Sequence, residues 1–374
     1  MRFVVEARDG AARAGVLETG HGVVPTPVFM PVGTQATVKT VPVSDLSRQV
    51  NPPVILANTY HVYLRPGLEV LQKAGGIHRF MSWDRAVLTD SGGYQVYSLA
   101  AQRKITEEGV LFASHIDGSK HLFTPENVVD KQRVIGSDRQ RTLDDCPPDP
   151  CDYAYAKKSL VLTHRWAARA RERFLASEAP YGYPQFQFGI VQGSVYEDLR
   201  EASTKAMVEI GFEGYAIGGL AVGEPAEKMY QLTDFCCRLL PETHPRYLMG
   251  VGTPENILES LARGVDMMDC VLPSRNARHG LYYTFDGARN AKNAKYADDF
   301  SPLDPDGDAD VDRVYSKAYV RHLFAAQEWL GPHILTVHNL AFFRRLVQTA
   351  RERILDGTFY KWKTGVLPRI NRRL

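Results

Sequence analysis

The sequence has too few cysteines, too widely scattered, to indicate a thiol-rich site. Its 374 residues include only five cysteines, and no two of them form a CxxC pair. The odd number and the scattered positions exclude a disulfide framework. The cysteines also lack the spacing of a thiolate-rich zinc site.

Long apolar runs are missing as well. No stretch approaches the roughly 18 apolar residues of a membrane span. Charges occur at Arg2 and Glu6, where a signal peptide needs an apolar segment. We therefore expect a cytoplasmic protein that has no membrane partner.

An excess of charge of one sign is also missing, because the formal net charge is only +2. Whole-protein charge therefore does not indicate a nucleic-acid partner. Basic residues are nevertheless concentrated in two segments, 275–295 and the C-terminal tail 358–374. Such clusters suit either phosphate contacts or an ordinary solvated surface.

Short apolar runs alternate with amphipathic segments along most of the chain. Val54–Ala57, Ala86–Thr89 and Phe186–Val191 are such runs, and each ends in polar or glycine residues. This alternation predicts parallel strands joined by helices. No GxGxxG fingerprint of a doubly wound fold is present, and polar strand ends occur as far apart as Asp90 and Asp269. We therefore predict an α/β fold of the (βα)8 TIM-barrel type.

The two ends of the chain depart from this alternation. Residues 15–30 alternate in polarity around a glycine-rich turn, which predicts an antiparallel hairpin that covers the N-terminal end of the barrel. Helical patterns at about 316–330 and 337–355 predict a C-terminal helical subdomain appended near the end of the barrel. We treat residues 1–374 as a single barrel domain.

Four polar residues follow predicted strands. A buried carboxylate is costly without partners, so one aspartate there is more simply a helix cap or a hydrogen-bond anchor. Three together favour a reaction site, because paired carboxylates suit glycosidic chemistry, in which one attacks the anomeric carbon and the other moves protons. An amide offers both a donor and an acceptor, which suits recognition of a base edge. The four residues are Asp90, Asp144, Gln192 and Asp269.

Six longer motifs surround these positions. Leu88–Val96, with the sequence LTDSGGYQV, resembles the signature of tRNA-guanine transglycosylases. The other five resemble the same family in order and spacing, and the match extends from about residue 2 to about 357. They are Asn58–His61, Phe188–Ser194, Gly218–Glu224, Tyr247–Gly252 and Asp269–Arg275. The resemblance implies an enzyme that replaces the wobble guanine of tRNAs with a GUN anticodon.

The resemblance also implies a role for each site residue. Asp269 would be the nucleophile that captures the ribose, Asp90 the general acid/base, and Asn58 a residue near the nucleophile. Two successive displacements would retain the configuration of the ribose. The anticodon loop would be contacted by Arg275 and Arg278. The residues expected to bind the base are Tyr94, Asp144, Cys146, Gln192, Gly219, Leu220, Val222 and Met249.

The choice of incoming base depends on two of these positions. Cys146 and Val222 resemble the bacterial pattern, in which the base is 7-aminomethyl-7-deazaguanine and the Leu220 carbonyl accepts a hydrogen bond from its aminomethyl group. Eukaryotic relatives use the bulkier base queuine and tend to have glycine at the position of Val222. We therefore expect the bacterial base.

The chain departs from the family at its zinc site, in the region 276–340. The family has three cysteines in CxCxxC spacing and a later histidine, whereas this chain has Gly307, Ala309 and Asp312 at the cysteine positions and retains only His338. Glycine and alanine have no ligating side chain, so we predict an enzyme without zinc or any other cofactor. The resemblance to the family also implies a homodimer whose interface lies near this region, and we expect a homodimer here.

The same loop is rich in aspartate between residues 304 and 312. An EF-hand needs glycine at its sixth position and glutamate at its twelfth, where this chain has Val311 and Lys317. We therefore interpret the segment as a solvated acidic loop rather than a calcium site.

Two other functions compete with base exchange. A non-catalytic tRNA-binding or partner subunit of the same fold would be expected to have lost Asp90 or Asp269, and both are present. A sugar-specific glycoside hydrolase would need aromatic platforms rather than the set Tyr94, Asp144 and Gln192. Incorporation of labelled guanine into unmodified tRNA distinguishes the three functions.

Overall fold

The structure is a computed structural model that describes residues 2–99 and 103–374. Within these residues, eight short parallel strands form a central sheet and eight others form smaller antiparallel sheets. In chain order the strands are β1 (Phe3–Asp9), β2 (Ala12–Thr19), β3 (Gly22–Thr26), β4 (Val28–Met30), β5 (Val54–Ala57), β6 (Ala86–Thr89), β7 (Arg103–Ile105), β8 (Val110–Ala113), β9 (Lys120–Phe123), β10 (Arg139–Arg141), β11 (Phe186–Val191), β12 (Gly214–Ile217), β13 (Arg246–Leu248), β14 (Met267–Asp269), β15 (Leu281–Thr284) and β16 (Gly287–Asn290).

The central sheet closes into a barrel. Its strands are neighbours in the order β4, β14, β13, β12, β11, β10, β6, β5, and every pair is parallel. Val32, just after β4, pairs with Leu56 of β5, and the Gly33 N–H donates to the Leu56 carbonyl at 2.6 Å. The predicted TIM barrel is therefore confirmed, with side chains that alternate between the lumen and the outer helices.

Helices pack around the barrel and form the C-terminal subdomain. Thr124 and Thr253 each cap the start of a helix, because each side chain accepts a backbone N–H from three residues further on and a proline follows it. The α-helices are α1 (Val43–Asp45), α2 (Thr59–Leu64), α3 (Leu68–Ala74), α4 (Ile77–Met81), α5 (Gly93–Leu99), α6 (Pro125–Ile135), α7 (Tyr153–Leu175), α8 (Glu197–Ile210), α9 (Ala226–Leu239), α10 (Pro254–Leu261), α11 (Leu272–Arg278), α12 (Asp310–Val314), α13 (Lys317–Ala325), α14 (Leu330–Leu355) and α15 (Phe359–Ile370). A π-helical turn spans Leu46–Val50 and a 3-10 turn spans Ala294–Tyr296.

The N-terminal sheet differs from the predicted hairpin. It is a three-stranded antiparallel sheet of β1, β2 and β3, and residues 28–30 belong to the barrel instead. Pro27 has no N–H with which to continue the antiparallel ladder, and the Val28 N–H donates to the Asp266 carbonyl beside β14. The predicted position is confirmed, because Leu17 and Val24 pack against lumen side chains at the N-terminal end of the barrel.

One barrel strand has an unexpected composition. The three residues of β10 are Arg139, Gln140 and Arg141, and all are buried. Arg139 pairs with Leu88 and Arg141 pairs with Phe188, both of which pack in the lumen. Paired residues of a parallel sheet point to the same face, so both arginines point into the barrel.

The basic C-terminal tail is a packed helix rather than a free segment. Phe359, Val366 and Ile370 of α15 are buried against the barrel and α14. Two of its cations form ion pairs of 2.6 Å, Lys363 with Glu259 and Arg369 with Asp286. In the part of the chain that the structure describes, no helix has the length and apolar character needed to cross a membrane.

Candidate active site

The four predicted strand-end residues meet at the C-terminal mouth of the barrel. Asp90 follows β6, Gln192 follows β11, and Asp269 ends β14. Asp144 lies three residues after β10, and its Oδ2 accepts a hydrogen bond of 2.7 Å from the Gln192 amide nitrogen. This end of a TIM barrel is where side chains from several strands converge on a substrate.

Asp90 is buried and held by three donors from its surroundings. The backbone N–H groups of Thr59 and Gly92 donate to Oδ1 at 2.8 and 3.1 Å. The amide nitrogen of Asn58 donates to Oδ2. The expected neighbour of the nucleophile, Asn58, therefore contacts the expected general acid/base directly. A carboxyl group fixed at both oxygens has a defined orientation for proton transfer.

Asp269 has a different arrangement, in which one oxygen accepts both hydrogen bonds. The Tyr247 hydroxyl donates to Oδ1 at 2.5 Å and the Gly250 N–H donates to the same atom at 3.2 Å. Among the described residues no donor is bound to Oδ2, which suits a nucleophile. Burial raises the pKa of Asp269, while the charge of Arg141 and these two hydrogen bonds oppose that rise.

Asp144 and Gln192 form a hydrogen-bonded floor at the barrel mouth, and their donor and acceptor groups suit a purine-like edge. Burial raises the pKa of Asp144 to about 6, against the hydrogen bond from Gln192 and the charge of Arg141. Gly219 lies beside the Gln192 carbonyl oxygen, has a φ of +63°, and has no room for a Cβ. A larger residue at this position would therefore push the Gln192 amide out of the pocket.

The remaining base-binding candidates surround this floor. Tyr94, on α5, is 53% exposed at the mouth, while the sulfur of Met249 contacts the Arg141 guanidinium. Tyr94 and Met249 are thus both at the mouth, but the structure does not place them in contact. Burial raises the pKa of Cys146 to about 12, which keeps its thiol neutral.

The loop after β12 is fixed by a carboxylate. Glu224 accepts the backbone N–H groups of Ala221 and Val222 at 2.5 and 3.1 Å. Leu220 is buried and Val222 is half-buried at the pocket rim. The Glu224 carboxylate therefore fixes the backbone at Val222.

The two arginines expected to contact tRNA lie on α11, which begins three residues after Asp269. They are one helical turn apart and so share a face. Arg275 is exposed, whereas Arg278 is partly buried and donates to the Ser274 carbonyl at 2.9 Å. Arg275 is thus the freer of the two for a phosphate contact.

Sequence reasoning missed Arg141. Its side chain is 10% exposed, and a guanidinium nitrogen lies 3.8 Å from Asp90 Oδ2. The guanidinium also lies 5.5 Å from the centre of the Tyr247 ring. The sequence signal that could have identified it is a charged residue three positions before Asp144, in a segment where the barrel pattern requires a strand.

The region of the family's zinc site contains a closed hydrogen-bond network. Asp312 Oδ1 lies 2.6 Å from His338 Nδ1, and the two side chains are 2% and 1% exposed. His338 Nε2 faces the Tyr283 carbonyl at 2.8 Å. Asp312 Oδ2 accepts the Ala309 N–H at 3.1 Å, and this carboxylate occupies the space that a Cβ at Gly307 would need.

This network does not fit a zinc ion. Tetrahedral zinc needs four ligands, and Asp312 and His338 supply two that already bind each other. In the described ranges, the group of three or more His, Cys, Asp or Glu side chains close enough for a metal is His21, His78 and Asp138, which lies elsewhere. The interpretation of this loop as solvated was wrong in part, because Asp304 and Asp312 are buried.

Comparison with known proteins gives a single family. The family model described as Queuine tRNA-ribosyltransferase matches residues 9–372. The Queuine tRNA-ribosyltransferase of Desulforudis audaxviator is 53% identical over 367 residues, which cover 98% of this chain and 97% of that protein. The proteins of the same name from Thermoanaerobacter sp. and Caulobacter vibrioides are 52% and 51% identical, over 94% and 96% of this chain and 92% and 96% of their own lengths.

These matches cover every motif at the barrel mouth and agree with the resemblance seen in the sequence. They also include the strand that carries Arg141 and the loop that lacks the zinc cysteines. The chain therefore belongs to the queuine tRNA-ribosyltransferase family of glycosyltransferase enzymes.

Proposed function

We propose that the protein exchanges the wobble guanine of tRNAs with a GUN anticodon for 7-aminomethyl-7-deazaguanine. The observation that carries this proposal is the arrangement at the barrel mouth. Two differently held carboxylates, Asp90 and Asp269, adjoin the hydrogen-bonded pair Asp144 and Gln192. The names of the relatives support the same activity.

The reaction requires two displacements at the ribose. Oδ2 of Asp269 attacks C1′ while the bond from C1′ to N9 of guanine breaks, and the leaving nitrogen takes a proton from Asp90. A covalent ester between Asp269 and the ribose results. The incoming base then returns a proton from its N9 to Asp90, and N9 attacks C1′ and releases Asp269. Two inversions restore the original configuration.

The pocket floor supplies recognition of the base. An ionised Asp144 accepts hydrogen bonds from the ring N–H and the exocyclic amine, whereas the Gln192 amide nitrogen and the Gly219 N–H donate to the ring carbonyl. Gln192 now donates to Asp144, so its amide must turn toward the base when the base enters. The target nucleotide must leave its stack to reach this depth.

The test of the proposed function is incorporation of labelled guanine. Unmodified tRNA with a GUN anticodon should gain label from free guanine when it is incubated with the protein. The matched control is the same tRNA with adenine at the wobble position, which should gain none. Equal labelling of both tRNAs, or of neither, would contradict the proposal.

The choice of base leads to a prediction about the pocket rim. The protein should incorporate 7-aminomethyl-7-deazaguanine and discriminate against queuine, because the half-buried Val222 leaves little room for a cyclopentenediol. Val222→Gly should reduce this discrimination, while guanine exchange remains. Competition between the two bases in the labelled-tRNA assay measures the ratio. Comparable incorporation of both bases by the unaltered protein would show that Val222 does not set base choice.

We also propose that the enzyme functions without zinc, with the Asp312–His338 pair in place of the metal. Purified protein should contain no stoichiometric zinc by elemental analysis. Its melting temperature and exchange rate should be unchanged after strong chelation. One tightly held zinc per chain, with activity lost on its removal, would overturn this proposal.

Two substitutions compare the stability contributed by the buried Asp312–His338 pair with that contributed by a surface charge of the same loop. Asp312→Ala leaves a buried histidine without its partner, and breaking a buried pair costs about 3–5 kcal/mol of stability. Asp308→Asn, the matched control, removes a partly exposed pair with Arg344, which is worth about 0–1 kcal/mol. Urea unfolding of the two variants measures the difference.

The homodimer and the cytoplasmic location are also proposals, and they rest on the family resemblance. By that resemblance the interface would lie near the zinc region, which here contains the Asp312–His338 pair instead. The tRNA partner is supported by the names of the relatives and by the exposed Arg275 beside the mouth.

A further inference from the structure

Arg141 is a charged residue in the barrel lumen, where apolar side chains are usual. Its strand neighbour Phe188 is fully buried, and the strand as a whole has no exposed residue. Burial removes hydration from a guanidinium, and nearby charges or acceptors offset that cost. The groups around it therefore decide what it does.

The compensating groups come from four elements. Asp90 approaches from the end of β6, Asp144 from the segment after β10, Tyr247 from β13 and Asp269 from the end of β14. Burial lowers the pKa of Arg141, but Tyr247 and the carboxylates of Asp90, Asp269 and Asp144 outweigh the burial and raise it overall. The guanidinium therefore remains charged. It lies 3.8 Å from Asp90 and 5.5 Å from the centre of the Tyr247 ring, whose hydroxyl donates to Asp269.

The same groups create a difficulty for the nucleophile. Burial and the neighbouring charge of Asp90 both raise the pKa of Asp269, and a protonated carboxyl group is a poor nucleophile. Burial lowers the pKa of His61, on α2, more than the charge of Asp90 raises it, so His61 supplies little positive charge near neutral pH. Of the groups named by these contacts, Arg141 is the permanent cation that can offset the repulsion.

We propose that Arg141 is a positioning residue for base exchange, which keeps Asp269 ionised beside Asp90 and Asp144 and holds the Met249 side chain at the mouth. This inference rests on the proposed function. It assigns no contact with the substrate to Arg141, whose contacts at the mouth are with Asp90, Tyr247 and Met249. Its effect is transmitted through the charge on Asp269.

A second buried arginine, two residues before Arg141, provides a matched control. Arg139 lies on the same strand, is fully buried, and points the same way as Arg141. Its three guanidinium nitrogens have no hydrogen-bond partner among the described residues. Arg139→Met thus removes a buried arginine from β10 without removing the cation of the carboxylate cluster.

The experiment compares Arg141→Met, Arg141→Lys and Arg139→Met with the unaltered protein. For each, kcat/KM for tRNA is measured across pH, together with KM for the free base. Removal of the cation favours the protonated carboxyl group, so the acidic limb of the profile for Arg141→Met should move up by at least about one pH unit. Arg141→Lys should restore most of the shift, and Arg139→Met should show none.

A second measurement needs neither tRNA nor activity. Carbon-13 NMR of labelled aspartate, with Asp269→Asn used for assignment, follows the titration of Asp269 in the free protein. Its pKa should be higher in Arg141→Met than in the unaltered protein or in Arg139→Met. If exchange is absent from the unaltered protein, the proposed function fails while this titration still decides the role of Arg141.

Two results would overturn the inference. One is an unchanged acidic limb and an unchanged Asp269 titration in Arg141→Met. The other is an equal shift in Arg139→Met, which would mean that any loss of a buried arginine from β10 disturbs the mouth. Should Arg141→Met fail to fold, Arg141→Lys and Arg141→Gln still differ by one charge, and the same shift is expected between them.

Discussion

In an Asp269→Asn variant we expect no measurable base exchange and no covalent tRNA adduct, with folding and tRNA binding unchanged. An amide cannot attack C1′ as a carboxylate does, and removal of a catalytic nucleophile typically costs more than about 10,000-fold in rate. The fold tolerates the change, because both hydrogen bonds to Asp269 end on Oδ1, which asparagine retains. Asparagine also removes a buried charge, so the melting temperature should be equal or higher.

The adduct is measured on a denaturing gel after incubation with tRNA and quenching in acid. Asp286→Asn is the control, since Asp286 pairs with Arg369 on the surface, away from the mouth. It should form the adduct at the normal rate. Near-normal turnover by Asp269→Asn would show that Asp269 is not the nucleophile. Loss of tRNA binding together with loss of activity would show that Asp269 has a structural role.

The barrel was predictable where strand composition is simple. β5, β6 and β11 are runs of apolar residues that end in polar ones, and the parallel alternation of such runs with helices indicates the fold. The strand-end positions of Asp90, Gln192 and Asp269 were predictable for the same reason. Their meeting at one mouth follows from the barrel, because all its strands end on the same side.

β10 was not predictable in this way. Its sequence Arg139–Arg141 has no apolar residue, and hydrophobic periodicity is the main local signal that separates a strand from a loop. The strand is stabilised by tertiary contacts, since the neighbours β6 and β11 supply its ladder. The position of Asp144 was identified, but the arginine beneath it was not, because its partners are distant in sequence.

The zinc region shows a second limit of sequence reasoning. Loss of cysteines at positions 307, 309 and 312 indicates what cannot bind there, but not what replaces it. Asp312 was interpreted as one of several solvated aspartates. In the fold, it lies opposite His338 from α14, and the lack of a side chain at Gly307 leaves room for its carboxylate. A pairing between residues 26 positions apart depends on how α12 and α14 pack.

The two carboxylates that we propose as catalytic differ in how they are held, and this difference predicts different defects. Asp90 is bonded at both oxygens, whereas Asp269 is bonded at one. A group that shuttles a proton must be oriented throughout the reaction. A group that forms a bond to carbon needs one free oxygen. Loss of Asp90 should therefore slow the reaction without removing the intermediate.

In an Asp90→Asn variant we expect guanine exchange to fall by about 100- to 10,000-fold, the range typical of lost general acid–base catalysis. The asparagine oxygen still accepts the Thr59 and Gly92 N–H groups, and Asn58 can turn its own oxygen toward the new amide, so the fold should persist. Asp269 remains able to attack, and the covalent adduct should form slowly instead of disappearing. Single-turnover release of labelled guanine, followed beside the adduct on a denaturing gel, measures both. An Asp90→Asn variant that forms adduct at the normal rate would show that the leaving base takes its proton from another donor, and His61 of α2, which interacts electrostatically with Asp90, would be the next group to replace.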